Sequence, residues 1–281
     1  MKQRSFRQVD VFSGKPYLGN PLAVVVDGAG VSAEQMQRFA SWTNLSETTF
    51  LLPPSNAAAD YRVRIFTPVR ELPFAGHPTL GSCHSWLQAG GQPKNADFVV
   101  QECQAGLIKI KRTGDRLAFA APKLLREGPV DAATLAKISA GLRLPQSEFL
   151  HQQWVDNGPG WVAVMLRSAE QVLAIEPDYA AMNGLEVGVV GAYPVGSECQ
   201  VEVRAFITEG TLSGYEDPVT GSLNASLAQW LTGSGLAPQR YLASQGTALG
   251  RAGRVYLECD DLGQVWVGGE SVTYIEGQVT L

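Results

Sequence analysis

The chain has 281 residues, of which 45% are hydrophobic and 17% charged, with 30 Gly, 16 Pro and a formal net charge of -5. That length corresponds to about two domains and buries enough surface to fold without a disulfide or metal staple. The composition excludes disordered and collagen-like chains, and the negative charge disfavours nucleic acid and anionic membrane surfaces as partners.

Taken in chain order, the segments 9–12, 22–26 and 61–66 alternate or are rich in β-branched residues, and read as strands. Further strands are expected at 98–100, 107–111, 117–120, 161–166, 199–204 and 255–258. Helices are expected at 32–42, 79–88, 131–142 and 223–231. In the first of these, Ser32 followed by Gln35 makes a capping-box pattern. This is a mixed α+β order, without the regular alternation of a doubly wound sheet.

No run of about 18 apolar residues occurs, and residues 1–6 lack the apolar core of a secretory leader. Cys83, Cys103, Cys199 and Cys259 stand far apart, and the histidines are His77, His84 and His151. Reduced, mostly buried thiols, a cytoplasmic location and no metal site are therefore expected.

The sequence also repeats itself. Val63-Arg64-Ile65-Phe66 returns as Val203-Arg204-Ala205-Phe206, shifted by 140, and Trp86-Leu87 returns as Trp230-Leu231, shifted by 144. Asn157-Gly158-Pro159-Gly160-Trp161-Val162 is a looser echo of Gly19-Asn20-Pro21-Leu22-Ala23-Val24. Three matches in one order point to an internal duplication. The expected domains are 1–121, with the terminal strand 271–281 as a candidate completion, and 122–270. The two helices inside the repeat have no Asp, Glu, Lys or Arg and carry small residues such as Gly81, Ser82, Ala225 and Ser226. Each half is thus expected to wrap a curved sheet around one buried helix.

In both copies a Gly-containing loop precedes that helix. Glu71 through Thr79 forms the first loop and Tyr215 through Ser222 the second. A Gly beside a helix start offers unpaired N–H groups to an anion, so two such loops suit a small carboxylate held between the halves. The plainer alternative makes Asp217, Thr220 and Ser222 helix caps and turn formers. Glu47, set among Ser46, Thr48 and Thr49 ahead of an apolar strand, is a candidate proton carrier, though a lone Glu is ordinarily a surface residue. The GxGxxA string at 158–163 leads into strand formers, so it is no dinucleotide fingerprint. His84 falls on the apolar side of its helix and reads as a core histidine, and Cys83 beside it has no evident base geometry.

Several blocks resemble the PhzF family of phenazine-biosynthesis isomerase-like proteins. They are Leu45-Ser46-Glu47-Thr48-Thr49-Phe50, Phe66-Thr67-Pro68, the run from Glu71 to Gly81, Asn157-Gly158-Pro159, the run from Glu216 to Ser222, and Gln245-Gly246. The resemblance implies the diaminopimelate epimerase-like fold, with two pseudo-symmetric domains, each a barrel-like sheet around a central helix. It implies Glu47 as general acid/base, His77 and Asp217 as catalytic partners, and Gly76, Gly221 and Ser222 as substrate-binding residues. It also implies a homodimer. Amino-acid epimerases of that fold use two cysteines, whose positions fall near Ala75 and Val219 here, so two-base racemisation is disfavoured. Many family members carry His–Cys where this chain has Asn224-Ala225. The expected function is a cofactor-independent isomerase that relocates a proton or double bond in a small carboxylate at the seam between the domains. The alternatives are a non-catalytic small-acid binding protein, or a lyase or hydratase using the same glutamate.

Overall fold

The computed structural model describes residues 2–114, 116–208 and 213–281. The chain forms two compact units, Met1–Ala120 with Gly268–Leu281, and Ala121–Val267. The first contains β1 (Gln3–Val11), β2 (Asn20–Val25), α1 (Ala33–Thr43), β3 (Glu47–Leu52), β4 (Tyr61–Phe66), β5 (Glu71–Leu72), α2 (Gly76–Gln88), β6 (Phe98–Cys103), β7 (Gly106–Thr113) and β8 (Arg116–Ala120). The second contains β9 (Arg126–Gly128), α3 (Ala132–Leu142), β10 (His151–Asp156), β11 (Trp161–Leu166), α4 (Ala169–Leu173) and β12 (Glu186–Ala192). It continues with β13 (Val201–Ile207), β14 (Tyr215–Asp217), α5 (Gly221–Gly233), β15 (Arg240–Gln245) and β16 (Gly253–Cys259). The chain returns to the first unit through β17 (Val265–Gly269) and β18 (Ser271–Thr280).

The two units repeat one strand order. In the first, β18 pairs antiparallel with β1, and from β1 the order β1-β2-β3-β4-β6-β7 pairs antiparallel, parallel, antiparallel, parallel and antiparallel. In the second, β9 pairs antiparallel with β10, and β10-β11-β12-β13-β15-β16 repeats the same five relationships. The short strand β5 lies on β4 with Phe66 opposite Glu71, and β14 lies on β13 with Phe206 opposite Glu216.

α2 packs against β1, β2, β3, β4, β6, β8 and β18, so the first unit is a sheet wrapped around its helix. α5 is buried along most of its length in the same way. Sheet and helix approach closely because small residues leave room. A Cβ on Gly81 of α2 would lie 2.6 Å from Leu22 Cδ2, and one on Gly188 of β12 would lie 2.4 Å from Leu223 Cδ1. Hydroxyls inside the helices return to backbone carbonyls, as Ser85 does to Gly81 at 2.8 Å and Thr232 to Ala228 at 2.6 Å. α1 starts with the capping box of Ser32 and Gln35 and buries Met36, Phe39 and Ala40 with Val25, Phe50 and Phe66. In the second unit α3 and α4 cover a cluster built on Ile138, Leu142, Val172, Val189 and Phe206.

Both central helices start earlier than the sequence pattern indicates, at Gly76 and at Gly221. Gly76-His77-Pro78 reads as a loop, yet first-turn residues need no intrahelical N–H partner, so Pro78 is tolerated there. The helix starts are 145 residues apart, so Trp86-Leu87 and Trp230-Leu231, 144 apart, sit one position out of register.

A matched ion pair braces each short strand. Arg64 grips Glu71 with two 2.7 Å hydrogen bonds, and Arg204 grips Glu216 at 3.0 and 2.7 Å. Each guanidinium also lies over the Phe two residues on, 5.1 Å from Phe66 and 4.9 Å from Phe206. The second pair is the more deeply buried, with side chains 6% and 4% exposed against 28% and 31% for the first. Removing one partner of a buried pair strands the other charge. Arg204→Met is expected to cost about 3–5 kcal/mol and Arg64→Met clearly less. Urea denaturation of the two variants checks this, and equal losses would contradict it.

Candidate active site

In each unit the central helix starts five positions after the braced Glu: Glu71 to Gly76, and Glu216 to Gly221. Pro73 and Pro218 follow the short strands directly and end them, since proline has no N–H for the ladder. The chain then reaches Ala75 and Thr220, both extended, which are the N-caps of α2 and α5. Neither gives a side-chain cap bond. The first N–H groups of both helices thus lack a side-chain acceptor, a setting suited to an anion. Thr220 thus holds the N-cap position without a side-chain cap bond, and Ser222 lies inside the first turn of α5.

Gly76 and His77 open α2 and are buried. Glu47 is the first residue of β3, opposite Leu22 of the parallel strand β2, and its side chain is 15% exposed. It is therefore no ordinary surface carboxylate. His77 Nε2 lies 3.4 Å from Glu47 Oε2, and the imidazole is 4% exposed. Burial pushes the His77 pKa down to about 3, against a smaller upward effect from its hydrogen bond to the Pro21 backbone. Proline offers only a carbonyl there, so the imidazole donates. Nε2 makes no hydrogen bond of its own, so donation to Pro21 corresponds to the tautomer protonated on Nδ1. In that tautomer the neutral ring turns its Nε2 lone pair towards Glu47.

The second unit places Asp217, Gly221 and Ser222 around the start of α5. Asp217 is the last residue of β14 and 8% exposed. Its carboxylate accepts from Thr220 Oγ1 at 2.6 Å. Trp161 Nε1 donates to Ser222 Oγ at 3.0 Å, and Asn157 Nδ2 donates to the Ser222 carbonyl at 2.9 Å. With one lone pair taken by the indole, the Ser222 hydroxyl keeps its proton for a further acceptor. Counted from the helix starts, the counterpart of Ala75 is Thr220 rather than Val219, and that of His77 is Ser222. Asn224 is fully buried and bonded to Gln245 and to the Thr220 carbonyl, so it serves the loop.

The sequence pattern assigns no role to Pro21, Trp161 or Gln245. Their signal lay in Asn20-Pro21, which opens β2, in the Asn157-Gly158-Pro159 turn ahead of β11 and in Gln245-Gly246, each a polar residue followed by Gly or Pro. His84 sits on α2 with Nε2 3.1 Å from Thr273 Oγ1, and burial lowers its pKa. Cys83 is buried, its thiol pushed up to about 12 by desolvation, which removes it as a nucleophile.

The model of the phenazine biosynthesis-like proteins, PhzC-PhzF, matches residues 9–277. The chain belongs to the PhzF family. It is 35% identical to antisense-enhancing sequence 1 of Schizosaccharomyces pombe, over 99% of both chains. It is 33% identical to trans-2,3-dihydro-3-hydroxyanthranilate isomerase of Pseudomonas aeruginosa, over 97% of this chain and 98% of that one. A PhzF-family crystal structure from Enterococcus faecalis superposes with a TM-score of 0.81 at 24% identity, covering both chains fully. The PhzF chain is accordingly an isomerase with a mixed α+β fold. Among the described residues no helix is long and apolar enough to cross a membrane.

The neutral His77 makes a test of this PhzF site without substrate. The unfolded chain binds a proton on this histidine below about pH 6.5, and the folded chain does so only near 3. Its contribution to stability is therefore complete above pH 6.5 and lost as the pH falls towards 3, by up to about 1.4 kcal/mol per unit. Denaturant midpoints measured from neutral to acid pH should fall more steeply for the wild type than for His77→Gln. Parallel slopes would refute a neutral, buried His77.

Proposed function

We propose that this enzyme moves a proton, and with it a double bond, within a small carboxylate substrate. Glu47 removes the proton from carbon, the electron pair shifts along the conjugated system, and the proton returns at another carbon, so composition does not change. The observation that carries this reading is His77 Nε2 at 3.4 Å from Glu47 Oε2 in a nearly closed setting. A proton taken up by Oε2 meets the Nε2 lone pair, which steadies the acid form until it is delivered. General acid–base transfer by a positioned group of this kind is worth about 10²–10⁴-fold in rate.

In this proposal Asp217 is the second catalytic carboxylate, while Gly76, Gly221 and Ser222 hold the substrate. The uncapped N–H groups of both helices suit a carboxylate and the negative charge that develops beside it. The residues supply acid, base and anion-holding groups themselves, which supports a cofactor-independent reaction. The Pseudomonas relative, named for trans-2,3-dihydro-3-hydroxyanthranilate, a ring carboxylate with amino and hydroxyl groups, supports this substrate class. A homodimer remains expected from the family resemblance, and a cytoplasmic location from the cysteine usage.

The test is turnover of trans-2,3-dihydro-3-hydroxyanthranilate in deuterium oxide. The wild type should give an isomer that carries solvent deuterium, and Glu47→Gln should lose about 10²–10⁴-fold in rate. Undiminished turnover by the variant would overturn the assignment. A product lighter by one water would favour a lyase, and binding without any deuterium uptake a binding protein.

A further inference from the structure

Gln245, the last residue of β15, is fully buried and uses its whole amide on the loop that opens α5. Its Oε1 accepts from the Thr220 backbone N–H at 3.0 Å and from Asn224 Nδ2 at 2.7 Å. Its Nε2 donates to the Asp217 carbonyl at 3.0 Å and to Thr220 Oγ1 at 2.9 Å. The orientation is not interchangeable. A backbone N–H can only donate and a backbone carbonyl can only accept, so the Thr220 and Asp217 main chains decide which end of the amide faces which.

One consequence reaches the Asp217 side chain. Because Nε2–H occupies a lone pair of Thr220 Oγ1, the single Thr220 proton turns the other way, to Asp217 Oδ2 at 2.6 Å. The order of donation is Gln245 to Thr220 to Asp217. It fixes the carboxylate rotamer and presents Oδ2 as an acceptor. The first unit has no glutamine at that register, where Cys103 of β6 takes the place of Gln245. Gln101 of β6 is equally buried and reaches Thr79 Oγ1 at 3.0 Å, but its loop has Ala75 where the second has Thr220. The relay to a carboxylate is therefore particular to the second unit.

We propose that Gln245 and Thr220 are positioning residues that hold Asp217 in its working rotamer and in its hydrogen-bond-accepting form. The proposal rests on the reading of Asp217 as a participant in the reaction. Gln245→Glu keeps the shape but, when ionised, cannot donate, and draws the Thr220 proton away from Asp217. Thr220→Val removes the hydroxyl, and Thr220→Ser keeps it.

With trans-2,3-dihydro-3-hydroxyanthranilate as the probe, Gln245→Glu and Thr220→Val should lower kcat by about 10- to 100-fold with KM little changed, and Thr220→Ser should recover most of it. Folded variants with wild-type kcat, or a loss confined to KM, would overturn the proposal. Asp217→Asn separates the two levels of the argument: if it is fully active, the reading of Asp217 fails; if it is inactive while the other variants are not, the positioning claim alone fails. A readout without substrate covers a wild type that does not turn the probe over. The Thr220 hydroxyl proton should appear by NMR as a slowly exchanging, downfield signal that vanishes in Thr220→Val and loses its contact with Asp217 in Gln245→Glu, with a changed shift. An unchanged signal in Gln245→Glu would equally overturn the proposal.

Discussion

The bidentate Arg–Glu brace on each short strand is the constraint from which the rest of each unit follows. Arg64 holds Glu71 and Arg204 holds Glu216, each across a pair of antiparallel strands. The planar guanidinium matches the carboxylate in two bonds, so the strand is held in orientation as well as in place. A proline then ends the strand, and a helix opens five residues after the Glu. Alternation along the strand sends Glu216 to the Arg204 face and Asp217 to the opposite one. One buried pair therefore decides both where the helix begins and which way the neighbouring carboxylate points.

Polarity at those helix starts is managed differently in the two units. At the second helix position the first unit has His77, tied to the Pro21 backbone and kept neutral by burial. The second unit has Ser222, tied by Trp161 and Asn157. Pro21 lies in β2 and Trp161 in β11, the second strand of each six-strand order, so equivalent strands supply a tie in both. Duplication thus preserved the frame and allowed the chemistry to diverge, leaving an imidazole beside Glu47 in one unit and a hydroxyl and a carboxylate on the Asp217 loop in the other.

Much of this was legible in the sequence. The paired Val-Arg-x-Phe strings mark β4 and β13, the uncharged helices announce burial on all sides, and Ser32 with Gln35 marks the start of α1. Other features were hidden for physical reasons. β12 contains Gly188 and Gly191, which weaken a strand pattern, yet Gly188 is small because Leu223 presses on it. The helix starts at Gly76 and Gly221 look like loops because Gly and Pro are poor helix formers except in a first turn. Glu71-Leu72-Pro73-Phe74-Ala75-Gly76 and Glu216-Asp217-Pro218-Val219-Thr220-Gly221 share a Glu-x-Pro-x-x-Gly spacing. That spacing identifies Thr220 as the partner of Ala75, a register that the Trp-Leu match misplaces by one. The proximity of Glu47 to His77, 30 residues on, is tertiary information that no local pattern contains.

The central claim is that His77 is neutral, with its Nδ1 proton on Pro21 and its Nε2 lone pair towards Glu47. Nitrogen-15 NMR of the imidazole reads this directly, since the two tautomers and the imidazolium have distinct shifts. The account predicts a neutral ring protonated on Nδ1 throughout the range from about pH 8 to pH 5. An imidazolium forming near pH 6, or a neutral ring protonated on Nε2, would contradict it.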